Sequence, residues 1–224
     1  MERWILKLER PAGYAALALG LVSMGCIFFY APLEQIQGLI QKIFYIHVNF
    51  AILSYLSFSL TAVGGALFLW SGDEQYDRIA RSSAEVGVLF CSLVLITGPI
   101  WARPVWGTWW TWEARLVLTL ILWFIYVAYL LLRRFTEGEG AAARFSAVLG
   151  IFGVGTIPFL RVAVERFRGQ HQGNPFKAGL PFDMALTFYL TMTFFLCLLV
   201  YLLARRLKLL HLSNEVKGLQ LAEM

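Results

Sequence analysis

The stretch LVLTLILWFIYVAYLLL, residues 116–132, decides the fold class, because it contains no charged side chain along its whole length. Arg115 precedes it, and Arg133 and Arg134 follow it, so charged residues mark both of its ends. A helix needs about 20 largely apolar residues, with a lower limit of roughly 17, to cross the hydrocarbon core of a bilayer. Residues 116–132 are therefore predicted to form a membrane-spanning helix.

Five further stretches have the same character, which predicts an all-α, polytopic membrane protein. Hydrophobic residues make up 59% of the chain and charged residues 15%, whereas soluble domains have roughly 45–50% and about 25%. The predicted spans are Ala12–Tyr30, Ile46–Trp70, Ala84–Trp101, Leu116–Leu132, Ala141–Phe159 and Met184–Ala204. The connections are short, so residues 1–224 are expected to form a single six-helix domain. The first stretch lacks a small-residue cleavage site and is interpreted as a retained helix.

The distribution of lysine and arginine predicts the orientation, because these residues accumulate on the cytoplasmic side of a membrane protein. The N-terminus, the second and fourth loops and the C-terminal tail hold 12 of them, against 7 in the other three loops. Both termini are therefore expected to be cytoplasmic, with the third loop facing outward. The fifth loop is unusually basic for an outer loop: it either faces an anionic ligand or is a long loop that tolerates charge. Its basic residues are Arg161, Arg166, Arg168 and Lys177.

The third loop carries a dense cluster of tryptophan. Five of the eight tryptophans lie in WARPVWGTWWTWEAR, residues 101–115, which we call the tryptophan segment. They are Trp101, Trp106, Trp109, Trp110 and Trp112, and Arg103, Glu113 and Arg115 lie among and beside them. Tryptophan rings are large and stack well on other rings, so the segment is expected to form a flat surface for a large planar ligand. The alternative is an aromatic belt at the membrane interface, but a belt spreads its aromatic residues over many helix ends.

The local pattern of this segment is compatible with a short outer helix or a loop. Pro104 suits the first turn of a helix. The residues at the i, i+3, i+4 and i+7 spacing of one helical face are Trp106, Trp109, Trp110 and Glu113. A helix here would place three tryptophans on one stripe, whereas Gly107 weakens a helix.

Two of the three histidines are candidate metal ligands. His47, in YIHVNFA, and His171, in GQHQGNPF, are both expected near the outer membrane surface, on the side of the tryptophan segment. Neutral imidazole is a common metal ligand, and ionisable residues at membrane depth are functional candidates. A hydrogen-bonded interfacial histidine is the simpler interpretation of either residue alone. His211 lies in the charged tail and is expected to be a solvated surface residue.

Haem is a ligand that fits all these features. It is planar, its iron accepts axial histidines from opposite faces, and arginine binds carboxylates such as its propionates bidentately. Arg103, Arg115 and the basic fifth loop are candidates for that last role. The cysteines stand alone and there is no CxxCH sequence, so this chain has no c-type attachment site for haem. Nor is there a Walker phosphate loop, which excludes nucleotide hydrolysis by that route.

The run WGTWWTWEARL, residues 106–116, resembles the WGxxWxWDxRLT motif of the tryptophan-rich (WWD-type) haem-handling membrane proteins of cytochrome c biogenesis. With the six-helix layout, IHV at His47 and HQG at His171, the chain is similar over nearly its whole length to the CcmC, or haem exporter protein C, family. Glu113 stands where the motif has aspartate, Val117 where it has threonine, and Asn49 where proline usually follows the first His-Val.

The resemblance implies a function. Haem b, as the transported ligand, would lie at the periplasmic face of the bacterial inner membrane, with His47 and His171 as axial ligands and the tryptophan segment against the porphyrin. It would then pass to the periplasmic haem chaperone CcmE, with CcmA, CcmB, CcmD and the lipid bilayer as further partners and no nucleic acid. The protein is thus expected to be a haem-delivery protein rather than an enzyme, with covalent attachment of haem to CcmE occurring in their shared complex.

Two functions from other classes are the alternatives. A b-type electron-transfer cytochrome often stacks two haems across the membrane and then needs histidine pairs at both depths, and the inner half of this chain supplies none. A small-molecule transporter would carry polar residues through its helix interiors, where the few here are isolated. These are Asn49, Thr61, Thr97 and Thr119.

Overall fold

The computed structural model describes residues 2–136, 139–166 and 179–222. Their regular structure is helical, which confirms the all-α prediction. The α-helices are α1 (Glu2–Lys7), α2 (Glu9–Gly25), α3 (Ile43–Ser71), α4 (Glu74–Trp106), α5 (Ala114–Phe135), α6 (Glu139–Val154), α7 (Thr156–Arg166) and α8 (Phe182–Ala222). A π-helical segment, Cys26–Tyr30, continues α2, and a 3₁₀ turn, Leu39–Lys42, leads into α3. His171, Arg168 and Lys177 lie outside the described residues.

Six helical segments of the described chain are long and apolar enough to cross a membrane, as the sequence predicts. They are Glu9–Tyr30, Leu39–Ser71, Glu74–Trp106, Ala114–Phe135, Gly140–Leu160 and Phe182–Ser213. The fifth of these spans is formed by α6 and α7, which are separated at Gly155.

The third span begins earlier than predicted, at Glu74 rather than Ala84. Asp73 caps α4, because its side chain accepts a 2.9 Å hydrogen bond from the backbone N–H of Gln75. A capped N-terminus stabilises the helix before its apolar part begins. The polar residues 74–83 are therefore helical, and the connection from α3 is a tight turn at Gly72 and Asp73.

Helix α3 lies at the centre of the bundle and packs against α4, α6 and α8. Its Phe58 ring stacks on Tyr126 of α5, with ring centroids 3.7 Å apart and planes 12° from parallel. The Tyr126 hydroxyl donates a 2.8 Å hydrogen bond to the carbonyl oxygen of Gly150 in α6. One buried aromatic pair thus joins three of the spans.

Glycines allow these helices to approach closely, as expected for small residues in membrane helices. A Cβ added at Gly65 of α3 would lie 3.2 Å from the Cα of Ala147 in α6. At Gly153 of α6 it would lie 2.9 Å from Ile125 and from Tyr126 of α5. Gly65 of the second span and Gly153 of the fifth span thus allow close helix packing.

The two ends of the bundle differ in character. We call the end at which α4 ends and α5 begins the tryptophan end, and the opposite end the charged end. At the charged end, Arg133 of α5 donates two 2.6 Å hydrogen bonds to Asp77 of α4. Arg206 of α8 binds Glu85 of α4, with a 2.8 Å distance from Nη2 to Oε1. Ion pairs thus join α4 to both α5 and α8 at the charged end.

Candidate functional site

His47 lies one turn into α3, near the tryptophan end of the bundle, and its ring contacts α4. Its Nδ1 atom is 2.8 Å from the hydroxyl oxygen of Thr97. The Thr97 hydroxyl also donates a 2.7 Å hydrogen bond to the carbonyl oxygen of Leu93. Next to Thr97, a Cβ added at Gly98 would lie 3.3 Å from Cε1 of His47. The imidazole therefore packs directly against the surface of α4.

Trp101 lies on the same face of α4 as Thr97, one turn nearer the tryptophan end, because residues four apart are neighbours on a helix. Its indole N–H donates a 3.0 Å hydrogen bond to the side-chain oxygen of Gln37, in the connection between the first two spans. Its ring meets Trp106 edge to face, with centroids 5.1 Å apart and an 81° angle. The first loop therefore meets α4 one turn beyond Thr97, the residue that contacts His47.

The end of α4 disproves a helix through the tryptophan segment. The helix ends at Trp106, and Gly107 has a left-handed backbone, with a φ of 78°, that an L-residue rarely adopts. The Gly107 N–H donates a 3.0 Å hydrogen bond to the carbonyl oxygen of Arg103, and the Arg103 guanidinium donates in return to the carbonyl of Gly107. Pro104 thus lies in the last turn of α4, not in the first turn of a new helix.

The remaining tryptophans lie on the loop that follows, so the predicted stripe of three does not form. Trp110 meets Trp112 edge to face, with centroids 6.0 Å apart and an angle of 77°. Trp109 and Trp112 are 59% and 79% exposed. Both described pairs, Trp101 with Trp106 and Trp110 with Trp112, are nearly perpendicular, so the two rings of each pair do not lie in one plane. Each pair therefore presents two ring faces that meet at an angle.

Glu113 and Arg115 begin α5 and extend the site toward His47. Glu113 is the N-cap residue, and its carbonyl accepts a 3.1 Å hydrogen bond from the N–H of Val117. The carboxylate oxygens of Glu113 are buried and interact electrostatically with Arg115. The charge of Arg115 also acts on His47 and on Tyr55 of α3. Both residues thus belong to the same polar region as the histidine.

Two polar groups of the loop are buried without a partner among the described residues. They are the indole N–H of Trp110 and the hydroxyl of Thr111. Leaving such a group unpaired costs about 1–3 kcal/mol. The loop therefore offers hydrogen-bonding groups in addition to aromatic rings.

The structure gathers some of the predicted site residues and not others. His47, Arg115, Glu113 and Trp101 lie around the tryptophan end of α3, α4 and α5, whereas His211 lies in the far part of α8, beyond the charged end. His171 lies outside the described residues. Across residues 2–136, 139–166 and 179–222, no three His, Cys, Asp or Glu side chains cluster as they would to hold a bare metal ion.

The sequence alone does not identify Thr97, Gly98 and Gln37 as parts of the site. In the sequence Thr97 stands as an isolated polar residue in a helix interior. Its position one turn before Trp101, on the same helical face, is the signal that could have identified it. Gln37 carries no such signal, because nothing in the local sequence relates it to Trp101.

Comparison with known proteins places the chain in a family. The family model of CcmC, "Heme exporter protein C", matches residues 2–222. Heme exporter protein C of Haemophilus influenzae is 34% identical over 162 residues, covering 71% of this chain and 66% of the relative. The Escherichia coli K12 protein of the same name is 33% identical over 147 residues, covering 66% of this chain and 60% of the relative.

A putative cytochrome c biosynthesis ccmC-like mitochondrial protein of Marchantia polymorpha is 34% identical over 142 residues, covering 63% of this chain and 60% of the relative. The chain thus matches slightly less than two thirds of the length of these relatives. Because the family model spans nearly every residue, the chain belongs to the CcmC, or heme exporter protein C, family.

Proposed function

We propose that the protein handles haem in cytochrome c biogenesis, binding it at the tryptophan end of the bundle and delivering it to the periplasmic haem chaperone CcmE. His47 and His171 are the proposed axial ligands of the iron, and haem b is the cargo. Membership of the CcmC family and the printed names of the bacterial relatives, heme exporter protein C, support the role in haem handling.

The observation that carries the proposal is the meeting of three kinds of group at one place. His47 offers an imidazole, Arg115 places a guanidinium within electrostatic range of it, and Trp101 presents a ring one turn away on α4. Iron accepts imidazole as an axial ligand, arginine binds carboxylates such as the propionates, and tryptophan packs on planar rings. Each part of a haem molecule thus has a matching partner.

The loop between α4 and α5, residues 107–113, supplies further groups that fit haem. The buried N–H of Trp110 is a donor suited to a propionate, while the exposed rings of Trp109 and Trp112 can cover the porphyrin. Arg103 is a weaker candidate for a propionate, because its guanidinium already binds the last carbonyl of α4. Arg115 is therefore the first choice among the arginines of the segment.

We place the haem site on the periplasmic side of the inner membrane, with both termini in the cytoplasm and residues 1–224 as one domain. The excess of lysine and arginine in the termini and the second and fourth loops supports this orientation. The ion pairs of the charged end involve the same segments, which would then lie at the cytoplasmic surface. The tryptophan end would face the chaperone.

The proposed role is delivery rather than turnover. Two axial histidines would occupy both free coordination positions of the iron. The tryptophan rings would orient the porphyrin so that one edge meets CcmE. Release then requires one axial bond to weaken. CcmA, CcmB and CcmD are the proposed partners in the membrane, and the attachment chemistry belongs to haem and the chaperone.

Purified variants test this function. The wild type, His47→Ala, His171→Ala and the control His211→Ala are purified from cells with and without CcmE, and their haem content and visible spectra are compared. The two ligand variants should lose most of their haem, whereas His211→Ala should retain it. Equal haem content in all four proteins would refute the ligand assignment, and haem that never transfers to CcmE would refute the delivery role.

A further inference from the structure

The hydrogen bonds around His47 bear on which of its ring nitrogens carries the proton. Thr97 Oγ1 lies within hydrogen-bond distance of two atoms, the carbonyl oxygen of Leu93 at 2.7 Å and Nδ1 of His47 at 2.8 Å. A carbonyl oxygen can only accept a hydrogen bond, and a threonine hydroxyl has one proton to donate. With that proton directed to Leu93, as the 2.7 Å bond has it, the hydroxyl oxygen is left to accept from an N–H at Nδ1 of His47.

This arrangement leaves the lone pair of a neutral His47 ring on Nε2. In water the more populated neutral tautomer has its proton on Nε2, and in that form Nε2 cannot bind a metal. A hydrogen bond at one ring nitrogen determines which nitrogen is free to bind. The Thr97 contact therefore selects the form of the ring that can ligate iron through Nε2.

The neighbouring glycine limits how the ring can turn. Gly98 brings the backbone of α4 so close that a methyl group there would lie 3.3 Å from Cε1 of His47. The ring is thus held at two points, by the hydroxyl at Nδ1 and by the helix surface at Cε1. Both points lie on α4, whereas the ring belongs to α3.

From this geometry we infer that Thr97 is a positioning residue, which fixes the Nδ1–H tautomer of His47 and prepares Nε2 as an iron ligand. The inference rests on the proposed function for the identity of the metal, but the tautomer itself belongs to the haem-free protein. Groups that orient a ligating histidine typically change metal affinity by about 10- to 100-fold when they are removed.

The first test uses haem-free protein. Thr97→Val keeps the branched shape of the side chain and removes the hydroxyl, whereas Thr97→Ser keeps the hydroxyl. Nitrogen-15 NMR of histidine-labelled protein at pH 8 reports the tautomer, and the His47 signals are assigned by their loss in His47→Ala. The wild type and Thr97→Ser should show the Nδ1–H form, and Thr97→Val should move the ring toward the Nε2–H form.

The second test uses the haem-loaded protein. Thr97→Val should retain haem about tenfold less tightly, and its reduction potential should rise, because an imidazole without the Nδ1–H bond is a less basic ligand. Thr97→Ser should restore both properties. Thr191→Val is the matched control, since that buried threonine donates the same kind of bond, 2.7 Å long, to the carbonyl of Thr187 in α8.

The outcomes separate this inference from the proposed function. An unchanged His47 tautomer together with an unchanged potential in Thr97→Val would overturn the positioning role. Haem retention by His47→Ala would instead refute the ligand assignment, and the tautomer measurement would still stand. If Thr97→Val does not accumulate, Gly98→Ala replaces it: the added methyl should displace the ring and shift the potential, and an unchanged potential would count against the role.

Discussion

The indole N–H of Trp101 donates a 3.0 Å hydrogen bond to the side-chain oxygen of Gln37, across a sequence separation of 64 residues. Gln37 is itself held in place, because its backbone N–H and that of Ile36 both donate to the carboxylate of Glu34. The first loop therefore forms a small turn. The side chain of Gln37 in this turn holds the Trp101 ring in place.

The Gln37–Trp101 bond should be measurable by a double-mutant cycle. Gln37→Ala and Trp101→Phe each remove one partner, and the double variant removes both. We expect a coupling of about 1 kcal/mol in the free energy of unfolding, as for a typical hydrogen bond, together with weaker haem retention in each single variant. Gln75→Ala is the control, because Gln75 bonds to Asp73 at the charged end. Strictly additive effects would show that the two side chains do not interact.

Gly107→Ala should destabilise the tryptophan loop. The φ of 78° at Gly107 is strained for a residue with a Cβ, and the left-handed conformation costs roughly 1–2 kcal/mol. Thermal unfolding in detergent should report this loss. Haem retention should also fall, because the loop that carries Trp109, Trp110 and Trp112 would leave α4 in a different direction. Gly25→Ala is the control: its backbone is right-handed helical and nothing lies near the added methyl. Equal stability of both variants would contradict the role given to Gly107.

Gly153→Ala should weaken the packing of α6 on α5. The added methyl would lie 2.9 Å from both Ile125 and Tyr126, which is too close for an ordinary contact. Overpacking of this kind costs about 1–3 kcal/mol. Thermal unfolding of the purified protein measures the loss, with Gly140→Ala as the control, since no described atom approaches its added methyl within 4 Å. A wild-type unfolding temperature for Gly153→Ala would mean that the helices are further apart.

Asp77→Asn should be the most damaging single change at the charged end. Asp77 and Arg133 are 14% and 10% exposed and share two hydrogen bonds, so the variant leaves a poorly solvated guanidinium without its counter-charge. Removing one partner of a buried pair costs about 3–5 kcal/mol.

Two further variants separate the lost charge from the lost contact. Combining Asp77→Asn with Arg133→Gln should recover part of the stability, because no charge is left unpaired. Glu74→Gln should change stability by less than about 1 kcal/mol, since Glu74 is 82% exposed in its pair with Arg78. If the double variant were less stable than Asp77→Asn alone, the unpaired charge of Arg133 would not be the cause of the lost stability.

The proposed orientation can be tested by labelling single cysteines. In a background without the native Cys26, Cys91 and Cys197, Thr108→Cys reports on the tryptophan end and Ser71→Cys on the charged end. A membrane-impermeant maleimide added to spheroplasts should label only the first, and added to inverted vesicles only the second. The reverse pattern would invert the topology.

The six spans could be predicted from the sequence because an apolar run is a local property, summed over neighbouring residues. The start of α4 was placed too late, because apolar content does not reveal a polar helix that is capped by Asp73 and extends beyond the membrane. The helical stripe of tryptophans was wrong for a related reason. Trp106, Trp109 and Trp110 have the spacing of one helical face, but the left-handed backbone of Gly107 ends α4 between the first of them and the other two.

The candidate site could be predicted only in part. The side chains with distinctive chemistry, His47 and the tryptophans, stand out in the sequence. Their supports do not, because Thr97 is 50 residues from His47 and meets it only through the packing of α3 on α4. Such a contact depends on the rotation of two helices about their axes, which no local pattern specifies.

The packing of α3 on α4 has a consequence for distant substitutions. The same two helices that meet at His47 and Thr97 also meet at Gly64, where an added Cβ would lie 3.0 Å from the carbonyl oxygen of Tyr76. Gly64 lies about 25 Å along α3 from His47. The two helices pack on each other at both positions, so a side chain that spreads them at Gly64 also bears on their packing near His47. A larger side chain at Gly64 is therefore expected to alter the packing of α3 on α4 as far away as the contact between His47 and Thr97.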